Sequence, residues 1–194
     1  SEEVIYMNRL ISKCPACHGT LRVSTLQCPD CGMELRNTFD LSPFDRLDKE
    51  QFEPWIQPQY NHATGALVGG EVLVRWNKDG QYISPAEFIE IFEQNGFIYP
   101  MDRYIWERTC MLLQRWRTEG RTMLPLSVNV SRRDLQHADV VTYLCELVRK
   151  YEIPIELLRL EITETAFSGA QKEILERVRE LVRLGFTVEI DDFG

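Results

Sequence analysis

No stretch of the 194 residues approaches the roughly 18 consecutive apolar positions that a membrane-spanning helix requires. The opening segment Ser1–Leu10 also lacks the basic start and apolar run of a secretory signal, so a cytoplasmic setting is expected. Basic charge is short as well: 22 Lys and Arg stand against 30 Asp and Glu, a formal net charge of −8 with a pI near 5.0. Nucleic acid and anionic membranes therefore meet an unfavourable mean field, and any anionic ligand has to be attracted locally. Apolar residues make up 44% of the chain, enough for a real core, which excludes the disordered and fibrous classes. This length allows one large domain, or a medium one with a small attachment, and excludes a large multidomain enzyme. The first residue is Ser rather than Met, and a chain processed, tagged or cut from something longer is the corresponding expectation.

Cysteine is scarce except in one place. Four of the six fall in two matched pairs, Cys14-Pro15-Ala16-Cys17 and Cys28-Pro29-Asp30-Cys31, while Cys110 and Cys145 stand apart among apolar residues as small buried hydrophobes. Each CPxC pair can wrap two thiolates around an ion, with Gly19 and Gly32 giving the permissive backbone of tight turns, and four sulfurs suit tetrahedral Zn²⁺. Two disulfides or four free thiols are the alternatives; a reducing cytosol disfavours the first and clustering the second. His18 reads as a solvated neighbour. Between the pairs, Leu21, Val23 and Thr25 alternate as in a short hairpin, and the whole resembles a zinc ribbon. A module this small needs its metal to fold. Residues 1–51 carry six basic and eight acidic side chains, a formal −2 that favours protein docking or a structural role over nucleic acid. The expected division is a ribbon over 1–39, a linker over 40–51 within the Ser-, Pro- and charge-rich stretch that follows the ribbon, and a larger domain over 52–194.

From Phe52 onward short strand-like runs alternate with amphipathic helices, the pattern of a parallel sheet with crossover helices. Ser84-Pro85-Ala86-Glu87 is a capping box that opens a helix stopping at Gly96. Asp102 is expected to cap a second helix running to Gly120, and further helices fit residues 138–151 and 170–184, the last closing at Gly185. The tryptophans read as core and interface packing. The strands carry more information, because strands covered on both faces should be almost continuously apolar. Here Leu126, Val128 and Val130 alternate with Ser127, Asn129 and Ser131. Leu158, Leu160 and Ile162 alternate with Arg159, Glu161 and Thr163, and Phe186, Val188 and Ile190 with Thr187, Glu189 and Asp191. In residues 71–76, Val72, Val74 and Trp76 oppose Glu71, Leu73 and Arg75. If the apolar faces pack on helices, the polar faces converge inside the sheet, where a barrel places them. Carboxylates confined together repel and take up protons, so a divalent cation is the natural partner of Glu71, Glu161, Asp191 and Asp192, with Asn129 as a neutral oxygen ligand. The alternative is an open antiparallel sheet with those faces in water.

Six segments in order carry a more specific message: residues 57–60 (QPQY), 71–76 (EVLVRW), 84–88 (SPAEF), 128–131 (VNVS), 160–165 (LEITET) and 191–194 (DDFG). Together they resemble the EAL family of cyclic-di-GMP phosphodiesterases. The resemblance implies an α/β fold, a TIM-like barrel whose first strand runs against the others. It implies Glu71, Asn129, Glu161 and Asp191 as ligands of one Mg²⁺ or Mn²⁺, and Asp192 as helping to hold a second. Two such ions can acidify a water, place it in line with the phosphorus and neutralise the equatorial oxygens. Glu164 then braces the loop after Asp191 and Asp192, so that Glu71, Asp192 and Glu164 carry the catalytic roles. Arg75 contacts a phosphate through its bidentate fork and Gln57 contacts the nucleotide. For Arg75 an internal ion pair is the competing reading. The implied reaction is hydrolysis of one phosphodiester of cyclic di-GMP to linear pGpG.

Two departures from the family pattern stand out. Val72 takes the place of the signature alanine, an apolar change on the face opposite Glu71. The sequence also stops at Gly194, so about five of eight expected strands are present, and the family's lysine, later metal-binding glutamate and glutamine fall past that point. The expectation is a partial barrel, a fragment of a complete enzyme that gives no turnover by itself. A non-catalytic cyclic-di-GMP receptor and a ribbon-centred interaction protein are the competing readings. Homodimers are common in the family and are expected for the complete domain.

Overall fold

The computed structural model describes residues 22–27, 34–40, 51–78, 80–163 and 172–191, the first two segments and residue 191 through their backbone. The chain forms two compact units, Ser1–Glu50 and Gln51–Gly194.

In the first unit β1 (Arg22–Gln27) pairs antiparallel with β2 (Glu34–Asp40), Gln27 opposite Glu34 and Thr25 opposite Arg36. Val23 and Thr25 lie in one strand, and the hairpin it belongs to is closed by β2. This partner follows the second cysteine pair, so Cys28 and Cys31 fall in sequence between the two strands, and β2 ends at Asp40, the first residue of the expected linker. Cys14, Cys17, Cys28 and Cys31 lie outside the described residues.

The second unit runs β3 (Phe52–Tyr60), β4 (Leu67–Lys78), β5 (Gln81–Ile83), α1 (Pro85–Asn95), α2 (Ile98–Thr118), β6 (Leu126–Asn129), α3 (Arg132–Gln136), α4 (Val140–Lys150), β7 (Leu158–Thr163), α5 (Lys172–Leu184) and β8 (Val188–Asp191). The strand order is β3-β4-β6-β7-β8, with β5 on β4. The joins β4–β6, β6–β7 and β7–β8 are parallel, while β3 runs antiparallel to β4. This is the partial TIM-like α/β barrel with a reversed first strand, and it replaces the open antiparallel alternative.

Alternation sorts each strand into two faces. Leu126, Val128, Leu158, Leu160, Ile162 and Phe186 are buried together with Trp106, Leu113, Leu144 and Leu181 from the helices. On the β3–β4 hairpin the same face carries Phe52 and Trp76, which stack at 5.3 Å and interlock with Phe88, Phe92 and Phe97. Val72, in the signature position, is buried on this face, so the change adds packing volume and leaves Glu71 on the other side.

Helix α1 begins and ends where its signals say: the capping box of Ser84 with Glu87 opens it, and Gly96 closes it at φ 78°. Helix α2 does not. It starts at Ile98, four residues before Asp102, because Pro100 lies in its first turn, where a missing N–H costs no helical bond. Asp102 is thus a buried residue within the helix, not its cap. The tryptophan reading also divides: Trp76 and Trp106 pack as expected, whereas Trp55 is 47% exposed. Gly69 and Gly70 let β4 approach the chain entering β6. A Cβ on Gly69 would lie 2.8 Å from the Pro125 carbonyl oxygen, to which Gly70 N–H donates at 3.1 Å. That close approach sets Glu71 beside Ser127.

Candidate functional site

Residues paired across a ladder project from the same face. Gln57 is opposite Glu71, Glu71 beside Ser127, Ser127 beside Arg159, Asn129 beside Glu161, and Thr163 beside Asp191. The sheet therefore carries Gln57, Glu71, Asn129, Glu161 and Asp191 on its polar face, along adjacent strands. Asn129, Glu161 and Asp191 sit in the C-terminal parts of β6, β7 and β8, the end at which barrels of this kind build their sites. Arg75 is on the same face of β4, four residues further toward that rim than Glu71. Glu164 and Asp192 lie outside the described residues.

Carboxylates on this face differ in chemistry. Glu189, which the register sets beside Glu161, is satisfied: Ser127 Oγ donates to it at 3.0 Å and Arg159 pairs with it at 3.0 Å. Glu71, beside Ser127, is the opposite case. It is half-buried and its side chain makes no hydrogen bond or ion pair with any described residue, and the Asn129 side chain likewise meets no described partner. A half-enclosed carboxylate on the same sheet face as a free amide oxygen fits a hard divalent cation, which takes oxygen ligands. Glu161 is buried at 7% exposure. Among the described residues no three His, Cys, Asp or Glu converge as a ligand group; of the expected carboxylate ligands, Glu71 and Glu161 have described side chains, and Asp191 is placed by its backbone register.

The mouth is fixed from behind. Buried Trp106 on α2 donates its indole N–H to the Asn129 carbonyl at 3.0 Å, which ties the end of β6 to the helix layer. The next residues form the short helix α3, capped by Ser131 and Asp134, a box that the spacing Ser131-x-x-Asp134 offers and that an acidic N3 residue completes. A cavity of about 490 Å³ opens at this end, lined by Leu73, Arg75, Asn129, Thr163, Glu93 and Asp102 among others. Arg75 makes no ion pair among the described residues; its guanidinium lies 5.8 Å from the Trp55 ring, on the cavity side, so the internal-pair reading loses its support.

Beside the cavity two buried acids meet. Asp134 Oδ1 is sealed from water and has no N–H or O–H donor of the ordinary kind, while the Asp102 carboxyl stands in hydrogen-bonding reach of Asp134. A shared proton resolves this. Burial, then the Asp134 charge, raises Asp102 well above the usual carboxylate range, and burial pushes Asp134 up to about 6 against the opposing hydrogen bonds from Ser131. The folded state then holds protons that unfolded carboxylates release near pH 4, so stability is full below that pH and declines as pH rises through the raised values. Asp102→Asn keeps a donor for Asp134 and removes the second charge. Its melting temperature is expected to exceed the unsubstituted protein's at pH 8 and converge on it at pH 5, read by thermal unfolding across that range. Parallel curves would contradict the shared proton. Neither acid carries a sequence signal for the other, since 32 positions separate them.

A parallel sheet with a reversed first strand, and a polar face bearing carboxylate and amide oxygens at its C-terminal rim, define an α/β barrel domain of the kind that binds ligands at that rim. The EAL domain model matches residues 42–194, and the chain belongs to that family. Residues 14–45, which contain all four paired cysteines, match the DUF2089 zinc ribbon. The chain is 29% identical over 151 residues to the signaling protein YkoW of Bacillus subtilis, covering 77% of this chain and 19% of that protein. It is 30% identical over 150 residues to the cyclic di-GMP phosphodiesterase PA2567 of Pseudomonas aeruginosa, covering 75% of this chain and 25% of that protein. The chain thus spans a quarter or less of these two relatives. Among solved structures, the EAL enzyme Bd1971 in its cAMP- and cyclic-di-GMP-bound form is similar, with a TM-score of 0.70 and 27% identity over 78% of this chain and 42% of that one. The PaMucR phosphodiesterase in complex with cyclic di-GMP has a TM-score of 0.67 and 25% identity, over 75% of this chain and 61% of that one. No helix among the described residues is long and apolar enough to cross a membrane.

Proposed function

We propose that residues 52–194 belong to a metal-dependent phosphodiesterase domain that opens one phosphodiester of cyclic di-GMP to give pGpG, in bacterial second-messenger signalling in the cytoplasm. The observation that carries this is the half-buried Glu71, whose side chain has no hydrogen-bond or ion-pair partner among the described residues, on the same sheet face as Asn129 and Glu161. Glu71, Asn129, Glu161 and Asp191 are the proposed ligands of one Mg²⁺ or Mn²⁺, and Asp192 contributes to a second. Ions so held supply a nucleophile at neutral pH and stabilise phosphoryl charge. Arg75 holds a non-bridging phosphate oxygen and Gln57 the nucleotide, while Glu164 positions the loop that carries Asp192. The elements of water divide across the broken bond, hydroxyl on phosphorus and proton on the departing ribose oxygen, which leaves a linear dinucleotide with a terminal phosphate.

The proposed division places a ribbon over 1–39, with Cys14, Cys17, Cys28 and Cys31 holding Zn²⁺, and a linker over 40–51. The formal charge of −2 over residues 1–51 suits a protein partner, and the domain in its native protein is proposed to form homodimers. The test is product analysis after incubating the native protein with cyclic di-GMP, the linear dinucleotide being the expected product. Nucleotide bound with no product formed, measured by calorimetric titration, would make it a receptor instead.

A further inference from the structure

On the polar face of the β3–β4 hairpin two large aromatic rings stand out in solvent. Trp55 is 47% exposed and Tyr82 53% exposed. The register fixes their place: Gln57 pairs with Glu71, Trp55 with Leu73, Glu53 with Arg75, and Asn77 with Tyr82 on β5. Moving from Glu71 toward the rim, the face thus passes through Trp55, Arg75 and Tyr82 in turn. They are not spare core. The apolar cluster built on Phe52 and Trp76 occupies the opposite face of the same two strands, so no rotamer of Trp55 or Tyr82 reaches it.

The exposed rings are also held in one orientation. Trp55 Nε1 and the Tyr82 hydroxyl both donate to Glu53 Oε2 at 3.0 Å, and Asn77 Nδ2 donates to Glu53 Oε1 at 3.0 Å. The rings meet edge to face, 5.3 Å apart at 72°. One carboxylate therefore fixes both polar ends and leaves an aromatic face open, with the Arg75 guanidinium 5.8 Å from the Trp55 ring centre. A flat π-surface stacks on a flat heterocycle, and the adjoining cation suits the phosphate attached to it.

We propose that Trp55, braced by Glu53 and walled by Tyr82, is the stacking surface for one purine base of the cyclic dinucleotide, a role that rests on the phosphodiesterase reading above. The site selects for a ligand whose base and phosphate are as close as Trp55 and Arg75. Trp55→Ala in the native protein is expected to raise the KM for cyclic di-GMP about tenfold or more, the scale of one base–aromatic stack, with kcat little altered. Trp55→Phe, which keeps a flat ring, is expected to recover most of that loss. Titrating cyclic di-GMP should quench a fraction of the tryptophan emission that disappears in Trp55→Phe. An unchanged KM in Trp55→Ala, a loss confined to kcat, or identical quenching in Trp55→Phe overturns the stacking role while leaving the phosphodiesterase reading standing. Unsubstituted protein that neither binds nor cleaves cyclic di-GMP overturns that reading itself. If Trp55→Ala does not fold, the Trp55→Phe quenching decides the matter.

Discussion

Glu71→Gln in the native protein is expected to lower turnover of cyclic di-GMP by about 10³-fold or more while leaving the melting temperature almost unchanged. The two halves of this expectation come from the same observation. Ligation by a carboxylate supports several kcal/mol of transition-state charge stabilisation, and each 1.36 kcal/mol is a factor of ten in rate. Against unfolding, Glu71 does nothing comparable, because it has no hydrogen-bond or ion-pair partner among the described residues. Gln preserves its size and removes its charge. Steady-state rates alongside thermal melts read both quantities, and turnover within tenfold of the unsubstituted protein would mean that Glu71 is not a ligand.

The largest stability loss is expected from Trp106→Ala. The indole is fully buried between α2, β6 and α4, in contact with the rings of Tyr99 and Tyr143. Truncating such a side chain costs about 3–5 kcal/mol through lost burial and the cavity left behind. The Asn129 carbonyl loses its donor as well, a further ~1–3 kcal/mol if water cannot replace it. Measured against the ~5–15 kcal/mol that holds a typical domain folded, that loss leaves little margin. Denaturant titration should show the midpoint falling sharply, and a shift of under about 1 kcal/mol would show that the indole is not part of the core.

Much of this domain is written in local pattern. The alternation over residues 158–163 matches β7 residue for residue, Gly96 ends α1, and Gly185, at φ 105°, ends α5. The polar face was legible because alternation is a backbone property that survives any tertiary arrangement. What stayed hidden depends on neighbours remote in sequence. Asp102 looks like a helix cap until Pro100 is recognised as a first-turn residue, and its partner Asp134 comes from another helix. Trp55 looks like core because exposed tryptophan is rare, and only the register with Leu73 and the bond to Glu53 reveal where it stands. The partner of β1 was hidden for the same reason, since a strand's period identifies neither its partner nor the loop between them.

The central claim is that oxygen ligands on the polar sheet face hold the divalent ions needed to cut a cyclic dinucleotide. Product formation from cyclic di-GMP by the native protein, compared before chelation, after it, and after readdition of Mg²⁺ or Mn²⁺, tests this most directly. The expected result is pGpG with metal, none once the metal is stripped, and recovery on readdition. Undiminished hydrolysis by the stripped protein would contradict the claim.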